Sequence, residues 1–442
     1  MQKINFFSHI RNFYTTKLSN TLFSFKPKKH NLIPFVLLIL LLFTILSPTF
    51  VLATDSTYVW SNNVSSNTSM DSLETSSNSK SSNNLNLESA SAILIEQNSG
   101  KVLYEHNSHE KLRPASVTKV MSLLLIMEAI DSGQLSYTDK ISCSEKARSM
   151  GGSQIWLDET EELTVDEMLK AICIVSANDC VVAMAEHISG SEEAFVEKMN
   201  EKAKTLGMND TTFKNCHGID EDGHVTSSYD IAIMSRDLLK NHPDITKYTT
   251  IWMDTLRDGK SELVNTNKLL RNYSGATGLK TGSTSLALYN LSASATRNNL
   301  SLIAVIMKAP TSAIRFSEAK KLLDYGFNTY EYKELGKEND IISTISITKG
   351  VETSVDVCLS KNAGILIKKG EAKNINQNIN LPESISAPIK KGQVIGKLTY
   401  SNDSTELLSI DLVANKDINK MNIGNMITHL YKSWFCLNRQ VL

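Results

Sequence analysis

The pattern of apolar and polar residues in the middle of the chain predicts a hairpin, a block of helices, three strands and a last helix. Two β-rich runs, 91–97 and 101–105, flank an Asn-Ser-Gly turn and predict the hairpin. Apolar runs predict helices at residues 116–133, 163–174, 180–188 and 192–206. Further strands are predicted at 277–283, 288–296 and 300–308, followed by a helix at 313–325. Strands at both ends with helices between them indicate an α+β layer structure rather than βαβ repeats.

The C-terminal part of the chain has a different pattern. Short β-prone runs separated by Gly, Asn and Lys turns occupy residues 340–414 and predict a small all-β domain. After them, six apolar residues share one helical face: Ile423, Met426, Ile427, Leu430, Tyr431 and Trp434. An amphipathic helix with aromatic residues can lie in the lipid interface. Packing of this helix against the β domain is the alternative.

The N-terminal segment predicts export. Residues 1–54 contain no acidic side chain, and six basic residues precede the apolar run 32–46. Small residues near Ala53 complete the pattern of a secretory signal, and an uncleaved N-terminal anchor is the alternative. Prolines on both sides of the run make a buried core helix a poor fit. Residues 54–88 are rich in Ser and Asn and predict a flexible, disordered linker.

Composition excludes several classes of protein. The 442 residues allow two to four domains, and 46 basic against 47 acidic residues give no electrostatic reason to expect a nucleic-acid partner. The six cysteines show no metal-ligand spacing, and the nine histidines include no HExxH motif. We therefore expect no metal or other cofactor. For an exported protein of this size, we favour mostly free, buried thiols over a disulfide framework.

The string Ser116-Val-Thr-Lys119 is a candidate nucleophile with its base. It lies at the start of the first predicted helix, where residues i and i+3 share a face, so the amine of Lys119 can lie beside the Ser116 hydroxyl. A serine needs a neighbouring base to take its proton, and a buried lysine with a lowered pKa can do so. The alternative is a helix-capping serine with a solvent-facing lysine.

Two further strings have polar side chains at useful places. Ser176-Ala-Asn178 lies in a polar break between two apolar helical segments, and a helix cap is its alternative interpretation. Lys280-Thr281-Gly282 lies on a predicted edge strand, where a glycine lets a substrate backbone approach. An ordinary strand with an exposed lysine is the alternative there. The three strings in this order, each on a suitable element, favour a shared chemical site.

Together with PASVTKVMSLLLIMEAI, SMGGSQIWL, CHGID and TGLKTGSTSLALYNLSASATRNN, these strings resemble low-molecular-weight penicillin-binding proteins of the D-alanyl-D-alanine carboxypeptidase type. The resemblance runs from about Ser89 to the C-terminus. It implies a serine β-lactamase/transpeptidase-like fold, in which helices and a helical subdomain flank an antiparallel sheet. It also implies an exported serine peptidase at the outer face of the cytoplasmic membrane or in the cell wall. Such an enzyme trims the terminal D-alanine from peptidoglycan stem peptides and is acylated by β-lactams.

The resemblance also implies roles for the residues of the first two strings. Ser116 matches the acylated serine, and Lys119 matches its general base. Ser176 matches the serine that relays a proton toward the leaving amine. Asn178 would hold the acyl side chain of the substrate.

The remaining implied roles concern the third string and a later arginine. Lys280 would support Ser176 and polarise the site, and Thr281 would bond the terminal carboxylate of the substrate. The backbone N–H groups of Ser116 and Ser283 would form the oxyanion hole. Arg315 matches the arginine that holds the same carboxylate, for which a guanidinium fork is suited. An arginine that merely starts a helix is the alternative.

Several expectations follow for the whole chain. We expect a catalytic domain at 89–334, a small β-sandwich domain at 335–416 and a membrane-surface helix at 417–442.

Leu286, Ala287 and Leu288 replace the acidic residue and glycine that relatives commonly carry there, which bears on substrate fit and rate. Cys216 is also unusual and has no assigned role. A class A-like β-lactamase is disfavoured because no E-x-x-L-N string lies between Asn178 and Lys280, and a non-catalytic penicillin-binding module is the other alternative.

Overall fold

The computed structural model describes residues 85–371, 375–402 and 405–437. The predicted signal or anchor at 1–53, and the Ser/Asn-rich linker up to residue 84, lie outside the described residues.

The first part of the described chain contains nine strands and nine α-helices. The strands are β1 (Ser91–Glu96), β2 (Val102–His106), β3 (Lys140–Ser142), β4 (Glu162–Thr164), β5 (Met253–Leu256), β6 (Ser261–Val264), β7 (Ala276–Thr284), β8 (Leu288–Arg297) and β9 (Leu300–Ala309). The helices are α1 (Lys119–Asp131), α2 (Glu145–Arg148), α3 (Val165–Ile174), α4 (Asn178–Ser189), α5 (Glu192–Thr205), α6 (Ser228–Asn241), α7 (Thr246–Thr249), α8 (Leu269–Asn272) and α9 (Ser312–Thr329). Two 3₁₀ turns are formed by Ala115–Thr118 and Pro243–Ile245.

A five-stranded antiparallel sheet organises this part, with the strand order β2-β1-β9-β8-β7. Side chains alternate between the two faces of a strand. On β1, Ile93 and Ile95 therefore join the core formed with the helical block, whereas Ala92 and Leu94 join the core formed with α9. The sheet is thus buried between two helical layers, as the predicted α+β order requires. Strand β7 is left at the edge, where another chain segment can approach it.

The sequence prediction missed α6 and the hairpins β3–β4 and β5–β6. Helix α6 begins after Ser227, whose side chain accepts a hydrogen bond from the Asp230 N–H. It buries polar residues such as Ser228, Asp230 and Ser235 among its apolar ones. The apolar periodicity of this helix is therefore hard to recognise in the sequence. The hairpin strands are only three or four residues long, too short to show a period of two.

The second part of the described chain is mostly β-structure. Its strands are β10 (Tyr330–Gly336), β11 (Ile341–Thr348), β12 (Ser354–Leu359), β13 (Ala363–Lys368), β14 (Ile375–Asn380), β15 (Ser384–Ser386), β16 (Val394–Asn402) and β17 (Thr405–Ala414). Six of them form a sheet of order β14-β16-β17-β12-β11-β15, while β10 pairs with β13. Val357, Leu398 and Leu412 are fully buried in its core. Strand β10 follows α9 directly. The predicted boundary between the two domains, at residues 334 and 335, therefore lies within this strand.

The chain ends in helix α10 (Ile423–Leu437). Its six apolar residues on one face are all exposed, from 46% for Met426 to 75% for Trp434. They therefore do not pack as a core against the β domain. In the part of the chain that the structure describes, we find no helix with the length and hydrophobicity needed to cross a membrane.

Five of the six cysteines have side chains that the structure describes. Cys143, Cys173, Cys180, Cys216 and Cys358 are all buried, and none of them forms a disulfide. Burial raises the pKa of the Cys143 thiol to about 11, so this group stays protonated at neutral pH.

A capping box at the start of α3 generates a stability prediction. The Thr164 side chain accepts from the Glu167 N–H, and the Glu167 side chain accepts from the Thr164 N–H. We expect Thr164→Ala to lower the free energy of unfolding by about 1 kcal/mol, measured by urea denaturation. Thr205→Ala, at the exposed end of α5, is the control and should change it by less than about 0.5 kcal/mol. Equal effects of both substitutions would contradict a capping role.

Candidate active site

Ser116 lies in a tight 3₁₀ turn that runs into α1. In a 3₁₀ turn, residues i and i+3 eclipse each other, which keeps Ser116 and Lys119 on one side. The Lys119 Nζ lies 3.2 Å from the Ser116 Oγ. Neither the turn nor α1 has a side-chain cap, and Lys119 is fully buried. The structure therefore contradicts the alternative of a capping serine with a solvent-facing lysine.

The Lys119 amine contacts three oxygen atoms from three parts of the chain. Besides Ser116 Oγ, they are Asn178 Oδ1 at 2.5 Å and the His217 carbonyl oxygen at 2.7 Å. Burial lowers the pKa of Lys119 well below its ordinary value of 10.5, and the nearby charge of Lys280 lowers it further. The surroundings thus favour the neutral amine.

The break between α3 and α4 brings Asn178 to Lys119, and Ser176 lies two residues before Asn178. Ser176 has a φ of 67°, in the left-handed region, and its buried Oγ has no hydrogen-bond partner among the described residues. The residue that precedes α4 is Ala177, which has no side-chain cap, so Ser176 does not cap this helix. Asn178 Nδ2 donates to the Gly151 carbonyl at 2.6 Å, which fixes the amide with its Oδ1 toward Lys119.

The loop that receives the Asn178 amide is itself held by the next residue. The buried carboxylate of Asp179 accepts hydrogen bonds from the backbone N–H groups of Ile155 and Leu157. The Asn178 N–H donates to the Ser153 carbonyl at 2.7 Å. Residues 151–157 are thereby tied to the start of α4.

Strand β7 forms the opposite wall of the site. Lys280 is buried rather than exposed, and burial with the nearby charge of Arg315 lowers its pKa to about 7. The Thr281 hydroxyl lies 2.7 Å from that of Thr266. A Cβ atom on Gly282 would lie 2.8 Å from the backbone nitrogens of Ser116 and Val117. Only a glycine lets β7 approach the turn this closely, and Ser283 follows it at an exposed position.

Arg315, on α9, lies next to this strand. Its Nη1 donates to the carbonyls of Gly282 and Asn290, at 3.2 and 3.1 Å, and its buried Nε has no hydrogen-bond partner among the described residues. Burial lowers its pKa to about 10, which still leaves it charged at neutral pH. The Arg315 side chain therefore reaches the site strand β7, and its role toward the substrate stays a prediction.

The turn between β7 and β8 carries the unusual apolar residues. Leu286 is 58% exposed, and Leu288 has a φ of 56°, in the left-handed region where a side chain is strained. These residues adjoin the site but lie outside its polar contacts.

The sequence analysis quoted the CHGID string at residues 216–220 for the family resemblance but assigned this loop no contact with Lys119. The His217 carbonyl contacts Lys119, and a Cβ on Gly218 would collide with the Ala115 carbonyl. A backbone carbonyl has no residue signature, so the string alone could not predict this contact; in the structure Gly218 has a φ of 93°. Thr266 was missed for a similar reason, since a lone threonine carries no motif. Within the described residues, no group of three or more potential ligands could hold a metal ion.

Comparisons with known proteins show which family the chain resembles. A family model described as D-alanyl-D-alanine carboxypeptidase matches residues 77–311, and one described as penicillin-binding protein 5, C-terminal domain, matches residues 330–420. The D-alanyl-D-alanine carboxypeptidase DacF of Bacillus subtilis (strain 168) is 47% identical over 351 residues, covering 78% of this chain and 90% of the relative.

Solved structures extend the similarity to the fold. Penicillin-binding protein 5 from Haemophilus influenzae is 33% identical, with a TM-score of 0.65, over 76% of this chain and 98% of that chain. Penicillin-binding protein D2 from Listeria monocytogenes, in an ampicillin-bound form, is 31% identical, with a TM-score of 0.51, over 55% of this chain and 99% of that chain. The predicted transpeptidase-like fold followed by a small β domain is confirmed. The chain belongs to the D-alanyl-D-alanine carboxypeptidase family.

Proposed function

We propose that this protein is a serine-type D-Ala-D-Ala carboxypeptidase that removes the terminal D-alanine of peptidoglycan stem peptides through an acyl-enzyme on Ser116. One observation carries the proposal: the fully buried Lys119 amine lies 3.2 Å from the Ser116 hydroxyl oxygen. The family matches support this substrate class over a class A-like β-lactamase or a non-catalytic module. The ampicillin-bound relative supports β-lactams as inhibitors.

The contacts of Lys119 suit a neutral base. A neutral amine has two N–H bonds and one lone pair. The N–H bonds donate to Asn178 Oδ1 and the His217 carbonyl, which leaves the lone pair for the Ser116 hydroxyl. Lys119 takes the serine proton while Ser116 Oγ bonds to the carbonyl carbon of the scissile peptide.

The close approach of β7 supports an oxyanion hole. Gly282 brings the strand against the turn that carries Ser116, so the N–H groups of Ser116 and Ser283 are the proposed donors. Such donors stabilise the charge that develops on the carbonyl oxygen, and loss of one typically slows a reaction about 10²–10³-fold.

The proton for the leaving amine passes through Ser176. Its buried hydroxyl has no partner among the described residues and so is available to substrate. Lys280 is buried on β7, where its Nζ donates to the Thr281 carbonyl at 3.0 Å; its proposed role is to support Ser176 and polarise the site. Departure of D-alanine leaves the acyl group on Ser116, and water then releases the shortened peptide.

Three side chains are proposed to bind the substrate. Asn178 Nδ2 has two hydrogens, of which one is used by Gly151, so the other can bond the acyl side chain. Thr281 and Arg315 bind the terminal carboxylate at the end of β7. The charge of Arg315 supports this assignment, as does its Nε, which has no hydrogen-bond partner among the described residues.

The protein is proposed to act outside the cell, at the outer face of the cytoplasmic membrane. A peptidoglycan substrate requires an extracytoplasmic enzyme, and the predicted export signal at 1–53 agrees with this. The exposed apolar face of α10 supports attachment to the membrane surface, with Trp434 and Leu430 in the lipid interface.

The first prediction concerns the nucleophile. Ser116→Ala should abolish both the release of D-alanine from a peptide ending in D-Ala-D-Ala and the long-lived labelling by penicillin. Ser346→Ala, in another S-x-x-K string on β11, is the matched control and should keep both signals. Rapid penicillin turnover by the unaltered protein would indicate a β-lactamase, and labelling without D-alanine release would exclude the peptidase.

The second prediction concerns pH. Since neutral Lys119 is the reactive form, acylation should slow as the pH falls through its lowered pKa, by about tenfold for each unit below it. The rising limb of the profile should therefore lie below pH 10.5. Rates of penicillin labelling measured by stopped flow would test this, and a rate that rises on acidification would contradict it.

The third prediction concerns α10. A chain that starts at residue 54 should sediment with vesicles of anionic lipid, and the combined Ile427→Asp, Leu430→Asp and Trp434→Asp substitutions should prevent this. Asn425→Asp adds a charge at an exposed polar position and should preserve binding. Undiminished binding of the triple variant would contradict the membrane role.

A further inference from the structure

A buried carboxylate lies behind the loop that contacts Lys119. Glu192, the first residue of α5, is 7% exposed. Its Oε2 lies 2.9 Å from Lys146 Nζ, and its Oε1 accepts the Cys216 N–H at 3.1 Å. The His217 Nε2 lies 3.4 Å from the same Oε1. Burial of a carboxylate is costly without such partners, so these donors and Glu192 depend on one another.

The tautomer of His217 fits this arrangement. The Ile219 N–H donates to His217 Nδ1 at 3.1 Å, so the ring proton is on Nε2, which faces Glu192. Burial lowers the pKa of His217 to about 4, and the ring is therefore neutral near pH 7. Glu192 consequently contacts the side chain of the same residue whose carbonyl contacts Lys119.

The peptide group between His217 and Gly218 is held from both ends. Its oxygen accepts from Lys119 Nζ, and its N–H donates to Asn215 Oδ1 at 2.7 Å. The preceding carbonyl, of Cys216, accepts from Ser122 Oγ at 2.6 Å. Glu192 fixes the Cys216 N–H and the ring of His217, and so holds the loop on both sides of the peptide that precedes the His217 carbonyl. Loss of Glu192 would free the loop to move away from Lys119.

We propose that Glu192 is a positioning residue, which places the His217 carbonyl against the amine of Lys119 and so orients that amine toward Ser116. The proposal rests on the function proposed above for Lys119. Lys146 balances the charge of Glu192 from α2, and Glu193 is the other carboxylate that contacts Lys146. Around Lys119 itself, the other ionisable groups are Lys280, Asp179, Cys180 and Cys216.

The test measures acylation by labelled penicillin per titrated active site, across pH, with the full-length protein in detergent. Glu192→Ala should slow acylation about tenfold to a hundredfold, because a displacement of about 1 Å can cost that much. The His217 carbonyl stabilises the ammonium form of Lys119, so loss of this contact should lower the pKa of Lys119 further. The rising limb of the plot of acylation rate against pH should therefore move to lower pH. Glu192→Gln keeps the shape but offers one acceptor oxygen to three donors, so its effects should be in the same direction and smaller.

Glu193→Gln is the matched control. Glu193 also contacts Lys146, at 2.8 Å, but its side chain is 75% exposed and has no hydrogen bond to the 215–219 loop among the described residues. It should leave both the rate and the pH limb unchanged. Unchanged rate and pH limb per active site in both Glu192 variants would overturn the proposal, as would equal effects of the Glu192 and Glu193 variants. Absence of labelling in the unaltered protein would instead refute the proposed function.

Discussion

The structure of the site depends on the burial of a lysine amine. An ammonium group removed from water pays a large desolvation cost, so burial shifts Lys119 toward its neutral form. The neutral form is also the one that can accept a proton from Ser116. The fold therefore has to exclude water from the amine while still supplying partners for its two N–H bonds. The partners come from two segments that are distant from Lys119 in sequence, those of Asn178 and His217.

The central sheet makes this convergence possible. Because both faces of the sheet are covered, β7 is firmly placed at its edge, and Gly282 brings it against the turn of Ser116. The α3–α4 break is fixed by the loop that Asp179 holds, and the 215–219 loop closes the third side. Each wall has its own internal hydrogen bonds, so the site is preorganised before substrate binds.

Sequence reasoning predicted the elements that depend on apolar periodicity, including the central strands and α1, and it predicted the pairing of Ser116 with Lys119. It placed Ser116 at a helix start, whereas the residue lies in a 3₁₀ turn, a difference of one or two residues that a pattern cannot resolve. It missed the His217 carbonyl and Glu192. A backbone acceptor has no side-chain signature, and an acidic residue at a helix start resembles an ordinary favourable charge at that end.

The residues proposed to carry out the chemistry are buried, whereas the residues that can affect substrate fit are exposed. The groups proposed to move protons, Lys119 and Ser176, are buried and fixed by neighbours or by backbone geometry. The exposed Leu286 and Trp156 lie on segments that flank them, the latter on the loop tied to Asp179. An exposed side chain can change without disturbing the desolvation that lowers the pKa of Lys119. The apolar turn after β7 can therefore alter which peptide fits while the chemistry stays the same. The chemistry depends on the burial of Lys119 and not on exposed side chains at the edge of the site.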